Sequence, residues 1–170
     1  MIDWDSQPYD VGNIYNPAFT SELLLNCVSG YTGESGEGMP LELAFIALPL
    51  LLYKDSRHSL AKKPYRYFRM WLDETPEVRV SLAERARELQ GFVKLGVAFA
   101  LQYGCLRLDP TGCLRLGARK KRSKRVVQLV DGSKFDTFKA EHFKAAERLG
   151  RLLHQGGQLH NVFIALGVRP

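Results

Sequence analysis

Chemistry-bearing motifs are what this chain of 170 residues most plainly lacks. It has no glycine-rich phosphate loop, nucleophile elbow, HExxH pair or paired-cysteine knuckle, so no nucleotide-binding, hydrolase or zinc-finger signature is written into it. Its three cysteines, Cys27, Cys105 and Cys113, cannot all pair and stand in no metal-ligand spacing, which suits structural thiols in a reducing cytoplasm. His142 and His154 fall on one side of an expected helix but roughly three turns apart, too far to share a metal ion. His58 and His160 are isolated, and Asp73, Glu74 and Glu77 gather at a helix break, where solvated cap residues are expected. No apolar run reaches the roughly 20 residues that span a bilayer. The N-terminal Met1-Ile2-Asp3-Trp4-Asp5 is acidic and carries no apolar leader segment. These absences point to a cytoplasmic protein that is not an enzyme, with no cofactor, no metal and no membrane contact.

What is present is a core. Met39 to Tyr53, MPLELAFIALPLLLY, contains one charge, Glu42, and its large side chains are worth about 1.5–3 kcal/mol each when buried. Pro40 is placed to open a helix there, and Pro49 should kink or stop it near Leu48. Upstream, Asn16-Pro17 is a helix start, followed by Phe19, Leu23, Leu24, Cys27, Val28 and Tyr31 at helical spacing, with Gly30 and the loop GESGEG ending the helix. Lys54 to Lys63 reads as a polar connection. A helix from about Pro64 to Asp73 turns Tyr67, Phe68, Trp71 and Leu72 inward, and Thr75-Pro76 breaks it. Ser81 and Glu84 fit a capping box opening a long helix to Tyr103, in which Gly91 and Gly96 permit close packing.

The clearest β signal is CLRLDPTGCLRLG, residues 105–117. A three-residue loop with Gly112 in the left-handed position pairs Leu108 with Leu114 and Leu106 with Leu116, collecting the leucines on one buried face. That register separates Cys105 from Cys113. Val126 to Val130 is a short candidate strand. Asp136 or Thr137 should cap a helix to His154 with Phe138, His142, Ala145, Ala146, Leu149, Leu152 and Leu153 inward, and a last helix spans 159–166.

The formal net charge is +6, and Arg119, Lys120, Lys121, Arg122, Lys124 and Arg125 account for all of it. Charge this concentrated marks a polyanionic or acidic partner more strongly than the same charge spread evenly. A hairpin after a helix, followed by a basic stretch, has the form of a winged-helix wing, in which Arg107, Arg115 and the basic run face phosphates. The later half of the preceding helix is too apolar to enter a DNA groove, so a charge run that is merely solvated, or that docks on an acidic protein, stands beside DNA contact for these cations.

Several landmarks bring a family into view: Tyr15-Asn16-Pro17-Ala18, Met39-Pro40-Leu41-Glu42-Leu43-Ala44-Phe45 with Leu48-Pro49-Leu50, Ala83-Glu84-Arg85-Ala86, Tyr103-Gly104-Cys105-Leu106, and the closing Phe163-Ile164-Ala165-Leu166-Gly167-Val168-Arg169-Pro170. In this order the chain resembles the middle components of bacterial three-component ABC-ATPase systems, the group that includes Lamassu-type anti-phage defence. The resemblance implies a non-catalytic adaptor that bridges an SMC-like or Rad50-like ABC ATPase and a third, effector component, with DNA reached through the complex. Leu166, Gly167, Val168 and Arg169 are then a candidate docking tail. The alternative is a free-standing winged-helix DNA-binding regulator. The expected fold is mainly α with a small β part: a helical bundle with a winged-helix-like hairpin after the long fourth helix. It comprises an arm over 1–15 and one domain over 16–170, with hairpin 105–117, basic loop 118–125 and C-terminal helices 137–154 and 159–166.

Overall fold

The computed structural model describes residues 16–118 and 132–169. The arm 1–15, the basic run 119–125 and the candidate strand 126–130 lie outside them.

Asn16 starts the first helix as expected. Its Oδ1 accepts the Ala18 N–H at 2.9 Å, and α1 runs Pro17–Ser35. The expected end at Gly30 is too early. α1 continues for more than a turn, to Gly36, whose left-handed φ of 74° lets its N–H return to the Thr32 carbonyl. Gly30 has a different duty, described below.

Met39–Pro40 forms a short strand, β1, and α2 then spans Leu41–Leu52. Pro49 does not stop α2, which continues past it to Leu52. The carbonyl of Phe45 loses its intrahelical donor, but residues on both sides of Pro49 are buried, and that burial outweighs the roughly 3 kcal/mol cost of an interior proline. The last four carbonyls of α2 are all taken up by side chains. Arg85 Nη1 donates to Pro49, the Ser56 hydroxyl to Leu50, and Arg57 Nη1 to both Leu51 and Leu52 at 3.4 Å. Two guanidinium groups at a helix C-terminus also complement its dipole.

Lys54–Lys62 is a helix, α3, and not the expected polar connection. Only Ser56 and Leu60 of it are buried, so its apolar periodicity is too sparse to see in sequence. Arg148, from far along the chain, secures its end by donating to Leu60 and Ala61 carbonyls at 2.8 Å. α4 covers Phe68–Glu74 and buries Phe68, Trp71 and Leu72, whereas Tyr67 faces outward. Thr75-Pro76 ends α4 as expected, and a 3₁₀ turn follows over Pro76–Arg79.

The capping box does not form. Ser81 has φ 52°, ψ 19°, whereas a capping serine needs extended backbone to aim its hydroxyl at the first turn. The expected long fourth helix is also divided at Leu89 into α5 (Leu82–Glu88), which packs on α2, and α6 (Gln90–Gln102), which packs on α1. From α5, Arg85 reaches the carbonyls of Val78 and Val80 as well as Pro49 and lies 4.0 Å over the Tyr53 ring. The hairpin strands β2 (Leu106–Leu108) and β3 (Cys113–Leu116) pair in the expected register, and β1 adds to β3, giving strand order β1-β3-β2. Two residues, one of them proline, left β1 invisible in the sequence.

α7 spans Gly132–Gln155, so Asp136 and Thr137 lie inside the helix and do not cap it; their propensity cost there, about 0.5 kcal/mol each, is small. α8 occupies Leu159–Leu166 as expected. Ala145, Ala146, Leu149, Leu152 and Leu153 of α7 are buried, as are all six apolar residues assigned to α1. α1 and α7 make the most extensive packing in the molecule and run in the same direction, Phe19 meeting His142 and Tyr31 meeting His154 in edge-on ring contacts. Glycines bring the two backbones together. A Cβ on Gly150 would collide with the Cys27 carbonyl and stand 2.8 Å from Tyr31 N, and one on Gly30 would collide with the Glu147 carbonyl. On the other flank of α1, Gly96 of α6 accommodates the Thr20 methyl, but Gly91 faces open space. The fold is therefore mostly helical, with eight α-helices and a three-stranded antiparallel sheet among the described residues, against the six helices expected.

These contacts separate two chemically identical substitutions. Gly150→Ala should destabilise the protein by about 2 kcal/mol or more through overpacking against backbone, whereas Gly91→Ala should stabilise it by about 0.5–1 kcal/mol through helix propensity. Urea unfolding of the two variants beside the parent checks both signs.

Candidate functional site

The hairpin is built around one carboxylate. Asp109 Oδ1 accepts from Thr111 N–H at 3.0 Å, the Thr111 hydroxyl at 2.6 Å and Cys113 N–H at 3.0 Å, while Oδ2 accepts from Arg115 Nε at 2.7 Å. Gly112, at φ 82°, donates its N–H to the Asp109 carbonyl and completes the loop. The Thr111 hydroxyl, then Arg115 and the Cys113 amide, hold the Asp109 carboxyl well below the usual carboxylate range.

Arg107 and Arg115, both expected to face phosphates, are directly opposed in the sheet but differ in position. Arg107 is exposed. Arg115 is engaged: besides Asp109 it donates from Nη1 to the Gly36 carbonyl at 2.9 Å, tying the hairpin to the end of α1. Asp109 thus neutralises one of two like charges that would otherwise repel across the strands.

Of the leucine face, only half is buried. Leu106 meets α6 and Leu114 meets β1, and both are covered, but Leu108 is 47% and Leu116 41% exposed. Leu101, Leu106, Arg107, Leu108, Gly117 and Ala118 line an open, mainly apolar groove at the hairpin root. The residue after Ala118 is Arg119, where the basic run begins.

The tail divides similarly. Leu166 is buried in the core and not available to a partner. Gly167, at φ 71°, donates to the Ile164 carbonyl, and Val168 N–H to that of Phe163 at 3.0 Å, while the Val168 side chain packs on the core. Leu-Gly-Val is thus a Schellman helix ending. Gly167 and Arg169 are exposed.

Among the described residues, no three His, Cys, Asp or Glu side chains are grouped so as to hold a metal ion. His142 and His154 serve as packing partners of Phe19 and Tyr31. The buried Cys27 thiol lies 3.9 Å from Met39 Sδ, and burial pushes its pKa up to about 12, so it is no nucleophile at neutral pH. Cys105 and Cys113 are free thiols. No helix among the described residues is long and apolar enough to cross a membrane. Sequence reasoning overlooked one surface, Lys62–Met70, where exposed cations alternate with tyrosines. Its signal was visible, but Tyr67 was assigned to the core.

These features define a small, mostly helical protein with a three-stranded antiparallel sheet among the described residues. Arg57, Arg79, Arg85, Arg115 and Arg148 bond backbone carbonyls, and exposed side chains occur on the hairpin, at its groove, over Lys62–Met70 and in the short tail. The chain belongs to the ABC-three component (ABC-3C) system Middle Component 3 family, whose model matches residues 4–170. No curated protein and no solved structure matches it. A middle component of a three-component system has partner components.

The Asp109 cluster carries a pH signature. Its carboxyl stays charged in the folded protein to lower pH than in the unfolded chain, where it titrates near about 4. Its contribution to stability is therefore present above that value and lost as pH falls below it. Asp109→Asn should remove that share of the acid dependence and speed amide exchange at Thr111 and Cys113. Thermal melts from pH 7 downward and hydrogen exchange read the two effects.

Proposed function

We propose that the chain is a non-catalytic adaptor subunit. It bridges an SMC-like or Rad50-like ABC ATPase and the effector, the third component, in a Lamassu-like anti-phage or anti-plasmid defence complex of the bacterial cytoplasm. The ATPase holds the nucleotide and the effector the toxic activity. The observation that carries this reading is the family match over residues 4–170, to a component described as the middle one of three. Local geometry supports it. The hairpin is stiffened by Asp109 and Arg115 into a fixed projection, with Arg107, Leu108 and Leu116 exposed on it and the basic run beginning at its root. A rigid projection of mixed apolar and cationic character binds a protein surface with little loss of conformational entropy. Gly167 and Arg169 extend the contact surface at the C-terminus.

One observation favours a second reading, the free-standing winged-helix DNA-binding regulator. A strand after the first helix joins the two hairpin strands in the order β1-β3-β2, with a helix directly before the hairpin, which is how a winged-helix module is strung. Against it stands the outward face of α6, where Lys94 and Gln102 are accompanied by Gly91, Leu95 and Ala98, few of which can read base edges. Gene neighbourhood separates the two: an adjacent ABC ATPase gene with a long coiled coil supports the adaptor, and a lone promoter-proximal gene the regulator.

Charge reversal of Arg119, Lys120, Lys121, Arg122, Lys124 and Arg125 should weaken co-purification with the ATPase and effector, or retention of DNA by the complex, more strongly at low salt than at moderate salt. Unchanged assembly and DNA binding at both would make the segment a bystander. Nucleotide turnover or nucleic-acid cleavage by the purified chain alone, abolished by one side-chain change, would end the adaptor reading.

A further inference from the structure

The segment Lys62-Lys63-Pro64-Tyr65-Arg66-Tyr67-Phe68-Arg69-Met70 contains four cations and no carboxylate. It links the end of α3 to the start of α4, and all four cations are exposed. Lys63 is paired with Glu74 at 2.5 Å. Among the described residues Lys62, Arg66 and Arg69 have no carboxylate within ion-pair distance, although Asp73 lies one turn beyond Arg69 in α4. Between these cations Tyr67 is 56% and Met70 40% exposed, far more than tertiary packing would leave if either served the core. Arg66 lies 5.4 Å over the Tyr67 ring, and Lys63 lies 5.0 Å over that of Tyr65.

The strip is held firmly from below. Phe68 and Trp71 are buried, the Trp71 indole N–H donates to the Ser59 hydroxyl at 3.0 Å, and Lys63 N–H donates to the Ser59 carbonyl at 3.1 Å. Its outward side chains thus stand on a fixed base. Solvated charge alone would explain the cations but not the open aromatic ring between them. Double-stranded DNA would use the cations and leave the ring idle, because its bases are stacked inside the duplex. A single strand uses both, since phosphates meet the cations while an unstacked base lies on the aromatic face.

We propose that the Lys62–Met70 strip is a binding site for single-stranded nucleic acid, with a base stacked on Tyr67 and phosphates held by Lys62, Arg66 and Arg69. The strip lies outside the hairpin and the basic run in sequence, and the proposal does not depend on the adaptor reading.

The test uses the full chain with Arg119, Lys120, Lys121, Arg122, Lys124 and Arg125 all replaced by Gln, so that the basic run contributes nothing. Fluorescence anisotropy with a labelled oligothymidylate of about 12 nucleotides then reads the strip alone. Tyr67→Ala should weaken binding about tenfold while Tyr67→Phe retains it. Arg66→Gln and Arg69→Gln should each reduce the slope of log affinity against log salt by about 0.7. A duplex of the same length should be indifferent to Tyr67→Ala. Absence of oligonucleotide binding in this background, or equal binding by Tyr67→Ala, overturns the proposal. Loss of the ATPase partner on Tyr67→Ala, with no oligonucleotide bound, would also overturn it and make the strip a protein interface. Tyr67 is exposed, so a thermal melt suffices to show that its variants remain folded.

Discussion

The contact on which the rest of this molecule depends is the backbone-to-backbone approach of α1 and α7. Gly30 and Gly150 leave no room for even a methyl group between the helices, and around them Cys27, Leu24, Ala146, Leu149 and Leu153 are buried. Small residues at a helix crossing allow the axes to close and bring the flanking side chains into contact along their length. Here the two helices lie at opposite ends of the described chain. Everything between them, α2 to the hairpin, is enclosed by that pairing. A loss of fit at the crossing therefore acts on the whole domain and not on one element.

The polar groups follow the same logic. A helix buried as completely as α2 must still satisfy its terminal carbonyls, and water cannot reach them easily. Ser56, Arg57 and Arg85 supply the donors, and Arg148 does the same for α3 from the opposite half of the chain. Several of the sequence landmarks that resembled the middle components turn out to be joints of this kind. Asn16 caps α1, Arg85 meets the carbonyl of Pro49, and Leu166-Gly167-Val168 closes α8. These three landmarks thus serve the folding of the chain.

What such a fold presents is decided by which polar side chains are left over. Arg115 is consumed in holding the hairpin to α1, whereas Arg107 is not. Leu106 and Leu114 are consumed by the core, whereas Leu108 and Leu116 remain outside. Exposed side chains thus include those of the hairpin and of the Lys62–Met70 strip.

The amino-acid sequence by itself determined the elements whose signals are local or strongly periodic. These are the Asn16-Pro17 start, the buried faces of α1 and α7, the register of the hairpin and the span of α8. In each, a cap, a turn residue or a 3.6-residue apolar repeat acts within a few positions. Tertiary structure alone decided the continuation of α2 through Pro49, the helicity of Lys54–Lys62, the break at Leu89 and the addition of β1 to β3. It also decided which of two equivalent arginines is exposed and whether Tyr67 faces the core. The physical reason is common to most of these. They depend on a partner dozens of residues away, and burial or a hydrogen bond supplied from there outweighs a local preference of only about 1–3 kcal/mol.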